Sequence, residues 1–336
     1  MRFKGNDELS EQAYIYTLRF YYGSKVLWLM EVENLETCYF CQSKNIALTP
    51  YQRTIQYDGK KYQFARCQNC TGYSLLPRLT EKQVSRLYSS DYVGANENQH
   101  STSDKEYEAK FTDLANYLAS HRGTLGKTFL DYGCGANPAS FKIARKNELM
   151  PHGMELTPDV RTIAQQNTGI KLLSREEIIH GDELFDVIFL GDVLEHLVDP
   201  ISELKYLTNN LTVEGVLIAQ GPLQGANTLT HGIVGLYSWL THNRSTTYPP
   251  YHVSLATLRS MEELLTECNL KISFKIIYEV DWPVPSFAEL LFDLTPRNMI
   301  LFIAKQVDKI FAQLFRDYGT RYFVVCKKLN MIEAKS

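Results

Sequence analysis

Four of the seven cysteines in this 336-residue chain stand in two matched pairs, Cys38-Tyr39-Phe40-Cys41 and Cys67-Gln68-Asn69-Cys70. Two such knuckles, with 25 residues between them, supply four thiolates for one tetrahedral zinc ion. Zinc held by four sulfurs keeps no open position, so its expected role is structural. A second group mixes oxygen and nitrogen. Asp192, Glu195 and His196 stand at i, i+3 and i+4, and His252 follows in Pro249-Pro250-Tyr251-His252-Val253. On a helix the first three share a face. Carboxylates and imidazoles so placed can take up a proton or hold a divalent ion. A third group, Leu130-Asp131-Tyr132-Gly133-Cys134-Gly135, has two glycines that let the backbone turn sharply and approach a ligand.

Ordered elements must position these groups. Thr128-Phe129-Leu130 is a short apolar run of the kind that forms a buried strand, and residues 139–144 can start a helix. Strand, glycine turn and helix in that order make the first unit of a doubly wound α/β sheet. The helix N-terminus and the bare loop amides then face a cofactor crevice. Twenty residues past Gly135, Glu155 closes the segment 149–155, an expected second strand. An acidic residue at that tip is placed to accept hydrogen bonds from both hydroxyls of a ribose. Residues 185–192 read as a fourth buried strand that runs into 193–200.

LDYGCG, the acidic end of the second strand, and FDVIFLGDVLEHLVDP at 185–200 resemble class I S-adenosylmethionine-dependent methyltransferases. A dinucleotide enzyme more often shows GxGxxG, whereas here Pro138 stands in the way. The run 66–92, with its CxxC, Pro77, a short helix and Tyr88-Ser89-Ser90-Asp91-Tyr92, extends the resemblance to bacterial members with an N-terminal CxxC…CxxC zinc ribbon. That resemblance implies an α/β fold with a doubly wound, Rossmann-like, seven-stranded sheet and a small N-terminal zinc ribbon. It implies S-adenosyl-L-methionine at Asp131, Gly133, Cys134, Gly135, Glu155 and Asp192, and structural zinc at Cys38, Cys41, Cys67 and Cys70. Catalysis would fall to His252, His196 and Asp192. Some methyltransferases that act on neighbouring hydroxyls use a similar carboxylate–carboxylate–histidine–histidine set, which here would be Asp192, Glu195, His196 and His252. In metal-free members the same stretch orients the loop and the cofactor.

The expected organisation is an arm (1–34), a zinc ribbon (35–79), linker helices (80–122) and a catalytic domain (123–336) with insertions at 221–250 and 287–315. Tyr-rich 11–22 fits either a helix or a strand. Within the ribbon, 54–57 and 61–64 alternate around an Asp58-Gly59 hairpin turn. Residues 88–100 read as a loop over the cofactor, 107–119 and 254–268 as helices, and 169–173 as a third strand. The stretch 221–250 reads as a long, Gly/Thr-rich insertion on the substrate side. The apolar 287–315 reads as a helical cap, a dimer face or a membrane-surface helix.

Hydrophobic content of 44% with 22% charged residues describes a globular protein, and a net charge of −3 argues against an obligate nucleic-acid binder. No apolar run long enough to span a membrane and no leader pattern is visible, so the cytoplasm is expected. The resemblance implies O-methylation of a sugar, a nucleotide sugar or a glycan or secondary-metabolite precursor. A hydroxyl has a pKa far above neutral, so a base or a metal must assist it. The rival reading is an RNA methyltransferase, which the six Lys/Arg against two Asp/Glu in 36–79 mildly favour. A third is a scaffold without activity; intact Asp131, Gly133, Gly135 and Glu155 speak against it.

Overall fold

The computed structural model describes residues 15–22, 25–32, 37–48, 54–88, 110–136, 138–226, 228–240, 245–247, 249–280 and 294–329. The expected loop at 89–100, all of 101–109 with Tyr107, and the first part of the second insertion lie outside them. Strands β1 (Ile15–Tyr22) and β2 (Lys25–Val32) form an antiparallel hairpin, which decides the Tyr-rich stretch in favour of strand.

Strands β3 (Ile46–Leu48), β4 (Thr54–Tyr57), β5 (Lys60–Cys67) and β6 (Tyr73–Leu76) build the ribbon. The β4–β5 turn holds Asp58 at φ 49° and Gly59 at φ 70°, the left-handed pair a tight hairpin needs. Helix α1 (Glu81–Leu87) starts at a Thr80/Gln83 capping box, and α2 (Thr112–Ser120) leads to the catalytic sheet.

The catalytic unit then alternates β7 (Thr128–Tyr132), α3 (Ala139–Lys146), β8 (Met150–Met154), α4 (Pro158–Thr168), α5 (Arg175–His180), β9 (Phe185–Gly191), α6 (Pro200–Asn209) and β10 (Leu211–Pro222). Next come α7 (Leu229–Leu240), β11 (Ser245–Thr246), β12 (Ser254–Leu255), α8 (Leu258–Glu267), β13 (Leu270–Tyr278), α9 (Pro296–Leu314) and β14 (Arg321–Lys328). The sheet order is β13-β14-β10-β9-β7-β8, with β8, β7, β9 and β10 parallel and β14 antiparallel to both its neighbours. Phe129, Leu130, Val187, Ile188, Phe189, Leu190, Leu217 and Ile218 are wholly buried, as strands covered on both faces require.

Two expectations change, and a third is filled in. Among the described residues the sheet has six strands, not seven; the stretch expected as the third strand contributes a single parallel bridge, Met154 to Leu173. The first insertion carries the twelve-residue helix α7. The expected helix 254–268 starts only at Leu258, because Ser254-Leu255 pairs with Ser74-Tyr73 as β12. No helix among the described residues is long and apolar enough to cross a membrane.

Helices α7 and α9 stand against each other at the carboxyl edge of the sheet, tied by Asp308. Its carboxylate accepts from the Leu229 and Thr230 amides at 2.9 and 2.8 Å, donors that a helix N-terminus otherwise leaves unpaired, and from the Tyr318 hydroxyl. Burial raises the Asp308 pKa, but these donors outweigh it and hold the group below its ordinary value. A carboxylate with a depressed folded pKa stabilises fully above its unfolded value of about 3.9 and loses that contribution as pH falls through the folded one. Asp308→Ala is expected to cost about 1.5–3 kcal/mol. It should also speed hydrogen exchange at the Leu229 and Thr230 amides; unchanged exchange would mean the helix end is held by something else.

Candidate active site

The crevice begins where β7 ends. Gly133 at φ +85° and Gly135 at φ +67° both occupy the left-handed region, which explains why glycine is needed at each. The Gly133 and Cys134 amides donate to the Met154 carbonyl at 2.8 and 3.0 Å, pinning the loop to the end of β8. A Cβ built on Gly135 would meet nothing within 4 Å, so the space above this amide is open. Glu155 lies beside it. One carboxylate oxygen accepts from the Gly135 amide at 3.1 Å and the other from Thr157 at 2.9 Å. Burial raises the Glu155 pKa against these bonds. Asp131 is buried and accepts from the Ser140 hydroxyl; burial lifts its pKa to about 7 despite that bond. Burial likewise pushes the Cys134 thiol upward. An open glycine loop with a carboxylate at its rim fits the amino-acid and ribose portions of S-adenosylmethionine.

Strand β9 leads to the other wall. Asp192 is left-handed at φ 57° and precedes a single 3-10 turn, Leu194–His196. It therefore does not share a helical face with Glu195 and His196, as the spacing suggested. Its two oxygens meet Lys110 Nζ at 2.6 Å and Arg321 Nη2 at 2.5 Å. Burial raises the Asp192 pKa, but the two cations overcome it and hold the carboxyl below the usual range.

Glu195, His196 and His252 converge instead. One ligand atom from each lies within 4.8 Å of the others, and the two imidazole rings stand edge to face at 4.8 Å. His196 Nδ1 is 2.8 Å from the Tyr251 carbonyl, which can only accept, so Nδ1 carries the proton and Nε2 is bare. Tyr88 braces this contact, its hydroxyl 2.6 Å from the same nitrogen and donating to the same carbonyl at 3.1 Å. His252 Nδ1 meets Gln224 Oε1 at 2.6 Å, with the amide assigned oxygen inward, and this leaves a second bare Nε2. Burial, and the neighbouring His196, take His252 down to about 4, so its imidazole is neutral at physiological pH. Burial, with the Asp192 charge, lifts Glu195 to about 8, and its Oε2 has no hydrogen-bond partner among the described residues.

The ribbon fixes this wall in place. Its sheet runs β11-β4-β5-β6-β12, so both outer strands come from the chain segment around His252. Val253 donates to the Glu195 carbonyl at 2.8 Å and accepts from the Leu75 amide at 2.9 Å. Arg78 reaches the Val198 carbonyl at 2.9 Å and the Thr37 carbonyl at 3.0 Å. Within the ribbon, Cys38 Sγ lies 3.5 Å from Cys70 Sγ, and Cys41 Sγ lies 3.7 Å from Cys67 Sγ. Four sulfurs at about 2.3 Å from a tetrahedral ion would stand about 3.8 Å apart, so the quartet fits such a metal. The Cys70 thiol, hydrogen-bonded to Cys38, draws Cys38 down to about 5.

Lys110, Arg321, Gln224, Tyr88 and Tyr251 contribute to the site without having been selected from sequence. Arg321 lies 129 residues from Asp192, and no local pattern announces such a pairing. Arg321→Ala would leave the partly buried Asp192 with Lys110 alone. A loss of about 2 kcal/mol is expected in chemical denaturation, the worth of a charged hydrogen bond; no change would show the ion pair to be idle.

A family model described as a methyltransferase domain matches residues 97–273, more than half of the chain. A ubiquinone biosynthesis O-methyltransferase of Haemophilus ducreyi is 29% identical over 115 residues, covering 30% of this chain and 48% of that protein. Its counterpart in Parvibaculum lavamentivorans is 32% identical over 95 residues, covering 26% and 38%. The chain thus spans about half the length, or less, of these curated relatives. Among solved structures, a SAM-dependent methyltransferase from Archaeoglobus fulgidus superimposes with a TM-score of 0.45 at 15% identity, covering 70% of this chain and all of that one. The extent of the family match settles the kinship: the chain belongs to the methyltransferase domain family, and its catalytic unit is of the S-adenosylmethionine-dependent class.

Proposed function

We propose that this chain transfers a methyl group from S-adenosylmethionine to a hydroxyl oxygen of a small polar acceptor, a sugar, nucleotide sugar or related glycan or secondary-metabolite precursor. The observation that carries the reading is the wall of Glu195, His196 and His252 beyond the carboxyl end of β9, where one ligand atom of each lies within 4.8 Å of the others and both imidazoles turn Nδ1 away. A hydroxyl nucleophile needs such acceptors for its proton; an amine or thiol needs them less. The O-methyltransferase relatives support oxygen as the methylated atom. The acceptor class rests on the resemblance of the ribbon-plus-domain layout.

Bound S-adenosylmethionine supplies a methyl on a sulfonium, so that an O–CH3 bond forms as the S–CH3 bond breaks and the electron pair stays on sulfur. Glu155 would hold the ribose hydroxyls, and the glycine loop with Asp131 would hold the amino-acid portion. His252, neutral and with Nε2 bare, accepts the hydroxyl proton, and Gln224 fixes its tautomer. His196 is held in register by Tyr251 and Tyr88 and closes the wall beside it. Asp192, matched by Lys110 and Arg321, keeps the chain turned at the end of β9. Alignment of this kind can supply on the order of 7–11 kcal/mol of the barrier.

Zinc in the cysteine quartet is part of the same proposal, with the ribbon as the frame of the acceptor wall. Metal analysis of protein purified without chelator is expected to give one zinc per chain, lost together with thermal stability in Cys70→Ser. For the cofactor, Glu155→Ala and Gly135→Val should each weaken binding of S-adenosylhomocysteine in calorimetry; the first removes charged hydrogen bonds of about 1.5–3 kcal/mol each. If neither affinity changes, the cofactor assignment is wrong. His252→Ala should lower turnover roughly 100-fold or more while product-cofactor affinity stays near wild type. Wild-type turnover in that variant would remove His252 from the reaction.

A further inference from the structure

Glu195, His196 and His252 converge in the acceptor wall, one ligand atom of each within 4.8 Å of the others. His196 and His252 have both committed their Nδ1 protons outward, to the Tyr251 carbonyl and to Gln224. Glu195 is only 6% exposed, its Oε2 has no partner among the described residues, and its Oε1 stands 3.9 Å from His196 Nε2, too far for a hydrogen bond. The cations closest at hand, Lys110 and Arg321, are spent on Asp192. Such a set lacks a positive charge at its centre.

Resting on the methyl-transfer reading, we propose that Glu195, His196 and His252 hold one divalent transition cation whose remaining positions are open to the acceptor's oxygen. Two imidazole nitrogens and one carboxylate suit Mn²⁺, Fe²⁺ or Zn²⁺, and three protein ligands leave positions open for substrate. The outward bonds from Nδ1 match the outer shell of metal-bound histidines, in which the second ring nitrogen donates to a carbonyl and so fixes the ligating one. Asp192 is not a member of the set, because both its oxygens are occupied by cations. The three ligand atoms lie within 4.8 Å of one another, whereas ligands about 2.1 Å from one ion stand about 3–3.5 Å apart. The side chains therefore close by about an ångström on binding, and the partly exposed faces of His196 and His252 give the ion its entry. With the ion in place, His252 Nε2 would be a ligand and not the proton acceptor; the cation's charge would lower the hydroxyl pKa so that its proton leaves to solvent water before the methyl is transferred.

The test uses full-length, zinc-loaded protein and Mn²⁺ alone, followed by loss of the free-ion signal in electron paramagnetic resonance. One Mn²⁺ per chain is expected, with affinity reduced at least about 100-fold in Glu195→Gln and His252→Ala, and about 10–100-fold in Gln224→Ala, which touches only the outer shell. All three variants should still bind S-adenosylhomocysteine, which certifies the fold. Chelator should abolish wild-type turnover and Mn²⁺ should restore it. Absence of Mn²⁺ binding, or binding that the variants leave unchanged, overturns the cation. Chelator-insensitive turnover does so too, while leaving the methyl-transfer reading intact. Failure of the wild-type chain to bind S-adenosylhomocysteine would strike that reading instead.

Discussion

Val253 is gripped through its backbone from two sides, and the acceptor wall depends on that grip. Its N–H donates to the Glu195 carbonyl and its carbonyl accepts from Leu75 of the ribbon. Its side chain is wholly buried. Next to it, His252 turns Nδ1 toward Gln224 Oε1. The same N–H reaches Glu195, which carries His196 next to it. Two backbone hydrogen bonds thus set the relative positions of three functional side chains drawn from two distant stretches.

The ribbon supplies one half of the grip, and it is not a separate body. Tyr39, Phe40, Tyr62, Phe64 and Leu75 of the ribbon share one buried cluster with Leu190, Leu194, Val253 and Met261 of the catalytic unit. Gly72 lies so close to Phe40 and Ser260 that a Cβ would come within 2.7 Å of each. About forty residues bury too little surface to stand alone, which accounts for both the cysteine quartet and the shared core. Stability of the ribbon and geometry of the acceptor wall are consequently one cooperative property.

Much of this was legible wherever the chemistry is local. The glycine loop, the two CxxC knuckles and the Asp58-Gly59 turn state their backbone requirements within a few residues, and the structure meets them. The parallel core strands announced themselves as unbroken apolar runs. Elsewhere the local pattern was overridden. Gly169–Leu173 has strand-like residues, but α4 ends at Gly169 and only Leu173 reaches Met154 in a bridge. Residues 229–240 carry glycines that weaken a helix signal, yet Asp308, far along the chain, caps the helix start. Arg321 with Asp192, Gln224 with His252 and Tyr88 with His196 are pairings over 129, 28 and 108 residues. Sequence spacing holds no trace of them, since the sheet order alone brings those ends together.

The two carboxylates after β9 show how one short turn serves opposite purposes. Asp192 lies under two cations and is held ionised, so it can bend the chain into a left-handed turn without an unpaired charge. Glu195, three residues on, is more deeply buried and has neither cation in contact, so burial dominates and its pKa rises. The difference follows from which strand ends stand nearby: β14 begins with Arg321 beside Asp192, while the segment opposite Glu195 offers two imidazoles whose protons point away. Electrostatic imbalance is therefore confined to the acceptor wall, and the supporting turn next to it is neutralised. A wall so arranged favours something electropositive, a proton or a cation, at its centre, whereas Asp192 is already matched by Lys110 and Arg321.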